Sequence, residues 1–462
     1  MNQEDVLSGK AGLAGIHRLL NGQSSRRRLR RAVQSMLRAG YRLGPLQLTR
    51  AKFKPGRKLS AYFTFPTVDA AGQPGHLVHI AAAWQKDLEG AKDAEALGRL
   101  QQEADQAGLM PVQRELWRED LDAGLRLQVW PFDPKFPQVV RLGTPSYVAG
   151  LFASLGAAQD LQQMPVVTPI RYRPGERHVL RYDLSVPGQA QRLYAKLYSN
   201  PQDAARAFGI ANRVVDWLAQ NNPGLQGNRP QAMSQQDGVI FYPHASGIPL
   251  SGQLTRSRRW LAAQLRTIGR GLAILHNGPE ILQSELKQNT FADEARVVKR
   301  ASEHIQILLP ETYNRILAIV DEAADLYSSL PQEKPTFTHS DFKSDHLLTT
   351  SNGLTLIDFD TCTLTDPALD LGKFLADLEW WFTRKGISGV EEAQAELLKG
   401  YVGEGEPDQI LRERLARARL FHVLILVKIV ARRVPIYKDE WSAMTARLIE
   451  RAAQVLHQTV KA

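Results

Sequence analysis

The sequence predicts an α+β protein. Strand-like apolar runs broken by turn residues fill the region from about residue 45 to 248. The order of those runs occurs twice. From about residue 250 onward apolar residues recur every three or four positions, the period of a buried helix face, with one hairpin set into the helical stretch.

The chain is read as a helical segment over 1–44, an α/β subdomain over 45–150, a second subdomain of the same kind over 151–248, and a helical region with an inserted hairpin over 249–462. Residues 1–42 read as helical because Leu19, Leu20, Leu29, Val33 and Leu37 form an apolar stripe at helical spacing. Part of the net charge of +10 is concentrated at Arg26, Arg27, Arg28, Arg30 and Arg31. A cluster of this kind serves either a polyanion or the solvated face of a helix. The apolar stripe beside it favours the face, so a nucleic-acid partner is not expected.

The repeat begins at Phe53-Lys54-Pro55-Gly56-Arg57, which parallels Tyr172-Arg173-Pro174-Gly175-Glu176-Arg177 at an offset of 119 residues. Pro-Gly is a turn dipeptide. Strand-like sequence follows each copy (Leu59 to Phe65, Val179 to Leu184), then another strand (Leu77 to Trp84, Leu193 to Tyr198). A helix comes next, about Leu88 to Gln106 and about Asp203 to Leu218. Each copy closes on an apolar strand meeting proline, Leu127-Gln128-Val129-Trp130-Pro131 and Val239-Ile240-Phe241-Tyr242-Pro243. The copies differ at one telling place. The second carries a lysine inside a strand, Tyr194-Ala195-Lys196-Leu197-Tyr198, where the first has Ile80-Ala81-Ala82-Ala83-Trp84. A half-buried ammonium is costly unless an anion meets it or its stem reaches water.

In the helical half, Leu261, Leu265, Ile268, Leu272 and Leu275 line one face of a helix over Trp260 to Leu275, stopped by His276-Asn277-Gly278. Residues 295–330 and 390–460 read as helical too. Between them lies the most informative stretch, His339-Ser340-Asp341-Phe342-Lys343-Ser344-Asp345-His346, followed by Leu356-Ile357-Asp358-Phe359-Asp360. Leu347-Leu348-Thr349 and Leu354-Thr355-Leu356-Ile357 flank Ser351-Asn352-Gly353, a hairpin signal. A hairpin joins its own ends, so Asp341 and Asp358, 17 residues apart, are expected to face one cleft. One acid orienting a hydroxyl and another holding Mg²⁺ is the minimal apparatus of phosphoryl transfer.

These motifs resemble the aminoglycoside phosphotransferase and choline kinase-like superfamily, small-molecule relatives of the protein kinases. Its catalytic loop, H-x-D-x-x-x-x-N, is similar to the run from His339 and Asp341, and its metal motif to Ile357-Asp358-Phe359-Asp360; Asp366-Pro367-Ala368-Leu369-Asp370-Leu371-Gly372 resembles the same family. The family's metal-binding Asn falls here on His346. The resemblance covers roughly 165–440 and implies a bilobal protein-kinase-like fold with a small β-rich N-lobe over 151–248 and a helical C-lobe. Hairpin, strand, helix, strand is the order of a kinase small lobe, so 45–150 reads as an extra cap, a degenerate N-lobe duplicate.

The resemblance implies ATP as co-substrate, Mg²⁺ as cofactor and a small-molecule hydroxyl acceptor. It places Asp341 on the acceptor hydroxyl, Asp358 on Mg²⁺ and Lys196 on the nucleotide phosphates. Arg177, at the Pro-Gly turn, adds charge there. Asp360 serves a second metal or the scaffold. His346 is a direct ligand, a ligand through water or no ligand, and imidazole suits softer ions than Mg²⁺; Asp345 next to it is a substitute. Lys343 meets the γ-phosphate or solvent. His339 and Asp370 are read as scaffold. Trp380, Trp381, Phe382 and Arg384 are either core or a sugar-stacking surface. Two family features are absent: a G-x-G-x-x-G loop, and a glutamate in the helix after Lys196, where Asp203 and Asp216 are the only acids. The Tyr-Arg-Pro-Gly hairpin and the preceding cap are similar to maltokinase-like sugar kinases, which favours a sugar or sugar derivative over an aminoglycoside. The alternative is a pseudokinase that binds nucleotide or protein without chemistry.

Composition is that of an ordinary globular protein, at 43% hydrophobic and 23% charged residues. No apolar run reaches about 18 residues, so no membrane span is expected. Met1-Asn2-Gln3-Glu4-Asp5 lacks the features of a secretory signal, and Cys362 is the only cysteine, so a cytoplasmic location is the expectation. The oligomeric state is left open.

Overall fold

The computed structural model describes residues 3–86, 94–158, 161–187, 189–222, 224–351 and 353–461. Its first elements are helices α1 (Gln3–Leu7), α2 (Gly12–Asn21) and α3 (Gln23–Gln34) and strands β1 (Arg42–Leu43), β2 (Gln47–Lys54), β3 (Lys58–Val68) and β4 (Pro74–Gln85). Then come α4 (Ala94–Gln106), β5 (Trp117–Asp120), β6 (Leu125–Val129), α5 (Gln138–Gly143) and α6 (Pro145–Ser154). The middle of the chain holds β7 (Val166–Arg173), β8 (Arg177–Val186), β9 (Gln189–Leu197), α7 (Pro201–Asn221), β10 (Leu225–Gly227), β11 (Ala232–Ser234), β12 (Val239–Pro243) and β13 (Ile248–Pro249). The rest is α8 (Arg258–His276), β14 (Lys287–Gln288), α9 (Phe291–Ala301), α10 (Glu303–Leu308), α11 (Pro310–Ser329), β15 (Thr336–Thr338), β16 (Leu347–Thr350), β17 (Gly353–Leu356), β18 (Thr363–Thr365), α12 (Ala368–Lys385), α13 (Val390–Val402), α14 (Gln409–Arg433) and α15 (Trp441–Lys461). The fold is α+β. Among the described residues no helix is long and apolar enough to cross a membrane.

The chain forms two compact units. The first is Met1–Ala205, Gln231–His244 and Pro435–Trp441; the second is Arg206–Pro230, Ala245–Val434 and Ser442–Ala462.

The first unit contains both copies of the repeat as antiparallel sheets. One has the order β1-β3-β4-β6-β5 with β2 on β3; the other runs β11-β12-β9-β8-β7. The strand order β2-β3-β4-β6-β5 therefore matches β7-β8-β9-β12-β11. Even the first hairpins agree: each has a register shift on its leading strand, and each turns through a glycine at positive φ, Gly56 at 68° and Gly175 at 72°. Only glycine adopts this conformation without steric cost. In the second sheet alternate residues, Leu180, Tyr182, Leu184, Leu193, Ala195 and Leu197, face a core closed by Val139, Leu142, Val148 and Phe152. The period-two burial is what the strand sequence predicts.

The N-terminal forty residues are less uniformly helical than expected. The described helices end at Gln34, and β1 already pairs with β3 at Arg42↔Val68. Leu29 and Val33 are buried, while Arg30 donates to the carbonyls of Leu43 and Gly44. The first part of the helix expected from Leu88, through residue 93, lies outside the described residues, as does Asn352 of the hairpin turn.

In the second unit two small sheets hold two loops. Strands β16 and β17 pair antiparallel with Leu347 opposite Leu356, while β15 and β18 pair antiparallel with Thr338 opposite Thr363. Residues 339–346 join β15 to β16, and 357–362 join β17 to β18. Both ends of both loops are thus pinned together by backbone ladders. Behind them α12 crosses α14. A Cβ built on Gly372 would lie 2.5 Å from the Phe421 Cβ and 2.6 Å from the Ala418 carbonyl oxygen, so only a residue without a side chain lets the helices approach this closely.

Candidate functional site

The loop from His339 to His346 is held by helix α12. Asp370 is fully buried and accepts hydrogen bonds from the backbone N–H groups of His339 and Ser340, both at 2.7 Å. Two turns on, buried Asp377 accepts from the Ser344 N–H at 2.9 Å. Asp366 caps the helix start by accepting from the Ala368 N–H and also receives Tyr327 and Arg417. Asp370, Lys373 and Asp377 are spaced three and four apart, so they share one face of α12, and Asp366 lies just before the helix. That polar stripe in a largely buried helix is a signal the sequence carried. Of its three members, only Asp370 was singled out from the sequence.

His339 belongs to the same scaffold. Its Nε2 lies 3.2 Å from the Ile357 carbonyl of the other loop, and its Nδ1 accepts from the Asp341 N–H at 3.3 Å. Ser340 and Asp358 adopt left-handed backbone conformations, with φ of 60° and 71°. Non-glycine residues rarely do so, and such positions cluster at functional sites.

The two loops bring Asp341, His346 and Asp358 together, with ligand-capable atoms of all three within 4.8 Å of one another. His346 stands between the acids: Nδ1 is 3.7 Å from Asp341 Oδ2, and Nε2 is 3.3 Å from Asp358 Oδ2. Burial pushes the His346 pKa down to about 3, although Asp358 works against the shift. The ring is therefore neutral at pH 7 and offers a lone pair, and its buried Nδ1 has no hydrogen-bond partner among the described residues. Two carboxylates and a neutral imidazole whose buried Nδ1 is unsatisfied fit a divalent cation. Asp360 is not part of this group of three. Asp345 points elsewhere, accepting from the Ser251 hydroxyl.

Asp341 is clamped on both oxygens. Lys343 Nζ lies 2.5 Å from Oδ2, and Lys373 Nζ lies 2.9 Å from Oδ1. Burial disfavours the carboxylate, but the Lys373 ammonium, then Lys343, outweighs it and holds the Asp341 pKa well below the usual carboxylate range. In turn, burial pulls the Lys343 pKa down despite Asp341 beside it. The clamp means that Asp341 is a fixed negative charge and hydrogen-bond acceptor, not a strong base.

Of the aromatic run on α12, Trp380 and Phe382 are buried core, with 2% and 3% exposure, whereas Trp381 is half-buried. Arg384 lies over the rings of both tryptophans at 5.6 and 5.5 Å.

In the first unit, Lys196 sits mid-strand on β9, paired in register with Val179 of β8 and Ile240 of β12. Arg177 opens β8 opposite Arg173, directly after the Pro174-Gly175 turn. In the second unit, Asp216 is engaged in an ion pair with Arg229.

The sequence model of the phosphotransferase enzyme family matches residues 169–412, more than half of the chain. The chain belongs to that family. The phosphotransferase has an α+β fold. Among solved structures it is similar to a choline kinase from Cryptosporidium parvum Iowa II at 12% identity, covering 68% of this chain and 96% of that one with a TM-score of 0.48. It is similar as well to a spectinomycin phosphotransferase in complex with ADP and spectinomycin, at 12% identity, 69% and 98% coverage and a TM-score of 0.46. An amicoumacin kinase in complex with AMP-PNP, Ca²⁺ and its ligand shares 15% identity over 68% and 97% of the chains, with a TM-score of 0.45. A search of curated protein sequences found no match.

Proposed function

We propose that this phosphotransferase moves the γ-phosphate of ATP, with Mg²⁺, to a hydroxyl of a sugar or sugar derivative. The observation that supports this most is the convergence of Asp341, His346 and Asp358 from two loops pinned by two strand ladders. Asp358 and His346 would hold the metal, and Asp360 is assigned to the scaffold around it or to a second ion. When bound, the metal supplies positive charge to the β- and γ-phosphates.

The acceptor hydroxyl is oriented by Asp341. Its oxygen forms a bond to the γ-phosphorus while the bond from that phosphorus to the bridging oxygen breaks, the electron pair leaves with ADP, and the hydroxyl proton passes to Asp341 late, once the new bond has made it acidic. A carboxylate held by two lysines orients the hydroxyl well and takes its proton poorly, which suits a transfer governed by positioning and charge. Lys343 is assigned to the transferring phosphoryl group. Lys196 and Arg177 are assigned to the nucleotide phosphates, and His339 and Asp370 to holding the loop. The sugar assignment rests on the Tyr172-Arg173-Pro174-Gly175 hairpin and on residues 45–150, which we read as a degenerate duplicate of the 151–248 lobe.

The pseudokinase reading draws on two observations, the histidine at the metal-binding Asn position and the absence of a glutamate from the helix after Lys196. Calorimetric titration of ATP with and without Mg²⁺ separates the two. Binding that tightens with Mg²⁺, together with turnover that Asp341→Asn abolishes while ATP affinity persists, supports the phosphotransferase. Absence of ATP binding in both conditions would overturn it.

A further inference from the structure

The centre offers a nitrogen where the family motif has an amide oxygen, because His346 stands at the metal-binding Asn position. The residue is 8% exposed and tied on both sides. Its N–H donates to the Lys343 carbonyl at 2.9 Å, and its carbonyl accepts from the N–H of Ile357, next to Asp358, at 3.0 Å. The imidazole is therefore held beside the acid before any ion arrives.

Its two nitrogens face different carboxylates. Nε2 is 3.3 Å from Asp358 Oδ2, and Nδ1 is 3.7 Å from Asp341 Oδ2. Asp341 Oδ2 already meets the Lys343 ammonium at 2.5 Å, and Lys373 holds the other oxygen at 2.9 Å. Both ammonium groups repel a further cation placed against that carboxylate. The Asp358 side is thus the side for an ion. A histidine that ligates through one nitrogen keeps its proton on the other and turns it toward a carboxylate or carbonyl. Nδ1 is buried and without a hydrogen-bond partner among the described residues, and the carboxylate it faces is Asp341. Ligation through Nε2 uses both faces of the ring.

We propose that His346 Nε2 and Asp358 bind the nucleotide's metal directly, and that this pair selects Mn²⁺ over Mg²⁺. This rests on the reading of the centre as the place of that metal and refines which ion it takes; Mg²⁺ occupies the same place more weakly. Mg²⁺ is a hard ion that demands oxygen ligands and gives up its water reluctantly. Mn²⁺ keeps the octahedral oxygen ligands that a carboxylate and phosphates supply, and as a transition ion accepts one imidazole among them. Zn²⁺ and Cu²⁺ suit imidazole better still, but favour tetrahedral or tetragonal sites richer in nitrogen or sulfur.

The test uses the full chain with β,γ-methylene ATP, whose phosphate chain carries no nitrogen, and with Mn²⁺ or Mg²⁺ as the metal. Calorimetry gives the affinity for each ion. Electron spin echoes from bound Mn²⁺ report nitrogen bonded to it, and isotopically labelled histidine identifies that nitrogen. The wild type should bind Mn²⁺ more tightly and show a modulation that shifts when histidine is labelled. His346→Asn, which puts back the amide, should lose the modulation and at least about tenfold of the Mn²⁺ affinity, the lower end of the loss when even an outer partner of a metal ligand is removed. Its Mg²⁺ affinity should hold or rise. The nucleotide's own preference between the ions is common to both proteins, so the change in the Mn²⁺-to-Mg²⁺ ratio decides, and the labelled wild type identifies the ligand without the variant. Absence of a histidine modulation from bound Mn²⁺, or an unchanged ratio in a folded His346→Asn, would overturn the proposal while leaving phosphoryl transfer intact. Failure to bind the nucleotide with either ion would instead strike the reading of the centre, and this inference with it.

Discussion

The two sheets of the first unit share a strand order and a Pro-Gly hairpin, yet differ where chemistry is expected. Leu59 pairs with Trp84 in the first, and His178 pairs with Leu197 in the second. One residue earlier in the same strands, Ala83 corresponds to Lys196, and both are half-buried. The pattern of apolar residues and turns is sufficient to build the sheet twice, whereas a single side chain, Lys196 against Ala83, separates the strand to which we assign the nucleotide phosphates from its counterpart. The first copy contributes in another way. The segment after β6 braces the second copy's hairpin: buried Asp133 meets His178 Nε2 at 2.6 Å and accepts from the Gly175 N–H at 2.7 Å, and the Tyr172 hydroxyl donates to the Phe132 carbonyl at 2.6 Å. The second sheet has no acid at the matching place after β12, where Pro243-His244-Ala245 follows.

The largest effect is expected at that brace. Asp133→Ala leaves His178 and the Gly175 N–H without their acceptor inside the protein, and should lower stability by about 3 kcal/mol in denaturant unfolding. A change below about 0.5 kcal/mol, the usual size for a neutral surface substitution, would mean the segment merely passes by.

Next comes the lysine itself. Lys196→Ala should weaken ATP binding by roughly 10- to 100-fold, the range of a charge-assisted contact of about 1.5–3 kcal/mol, whereas Ala83→Gln in the other sheet should leave ATP affinity unchanged. Calorimetry on both variants checks the pair, and equal losses would erase the distinction between the sheets.

A smaller effect separates buried histidines. His178 has a carboxylate partner, but His422 in the second unit has no partner for its Nε2 among the described residues, and burial takes its pKa down to about 3. His346 is lowered to the same value. For both, the unfolded chain binds the proton more readily than the folded one between about pH 3 and the ordinary value of 6.5. Stability is therefore full above pH 6.5 and is lost as pH falls, by about 1.4 kcal/mol per pH unit for each histidine. Melting of the metal-free protein from pH 7 to 4.5 should show this, and His422→Leu should flatten the slope by about one proton.

The smallest effect concerns Lys52 and Glu176, an exposed pair at 3.0 Å that joins the two hairpin regions. Glu176→Gln should cost less than about 1 kcal/mol in denaturant unfolding, and less at high salt. A larger loss would make the surface pair, and not Asp133, the principal tie.

Much of the site was legible because it depends on local pattern. The turn signal between Leu347–Thr349 and Leu354–Ile357 is enough to bring Asp341 and Asp358 to one place, and Asp370 follows from the motif after it. Other parts were not legible. Lys373 is an unremarked lysine on a helix until α12 packs on α14 through Gly372 and turns its ammonium onto Asp341. His276 lies among helix-stop residues, yet its Nε2 is 3.3 Å from Asp370 and its Nδ1 is 2.8 Å from the Tyr401 hydroxyl. The left-handed backbone at Ser340 and Asp358 has no signature in residue type.

From residue order alone came the α+β class, the doubled strand pattern, the hairpin and the identity of the acids, since each rests on periodicities of two and 3.6 or on turns a few residues long. Tertiary structure alone decided the charge state of the centre. A neutral His346 and a carboxylate shared by two lysines arise from groups on separate helices and loops brought into one partly buried space. Electrostatic energies there depend on separation and burial, which no local pattern encodes.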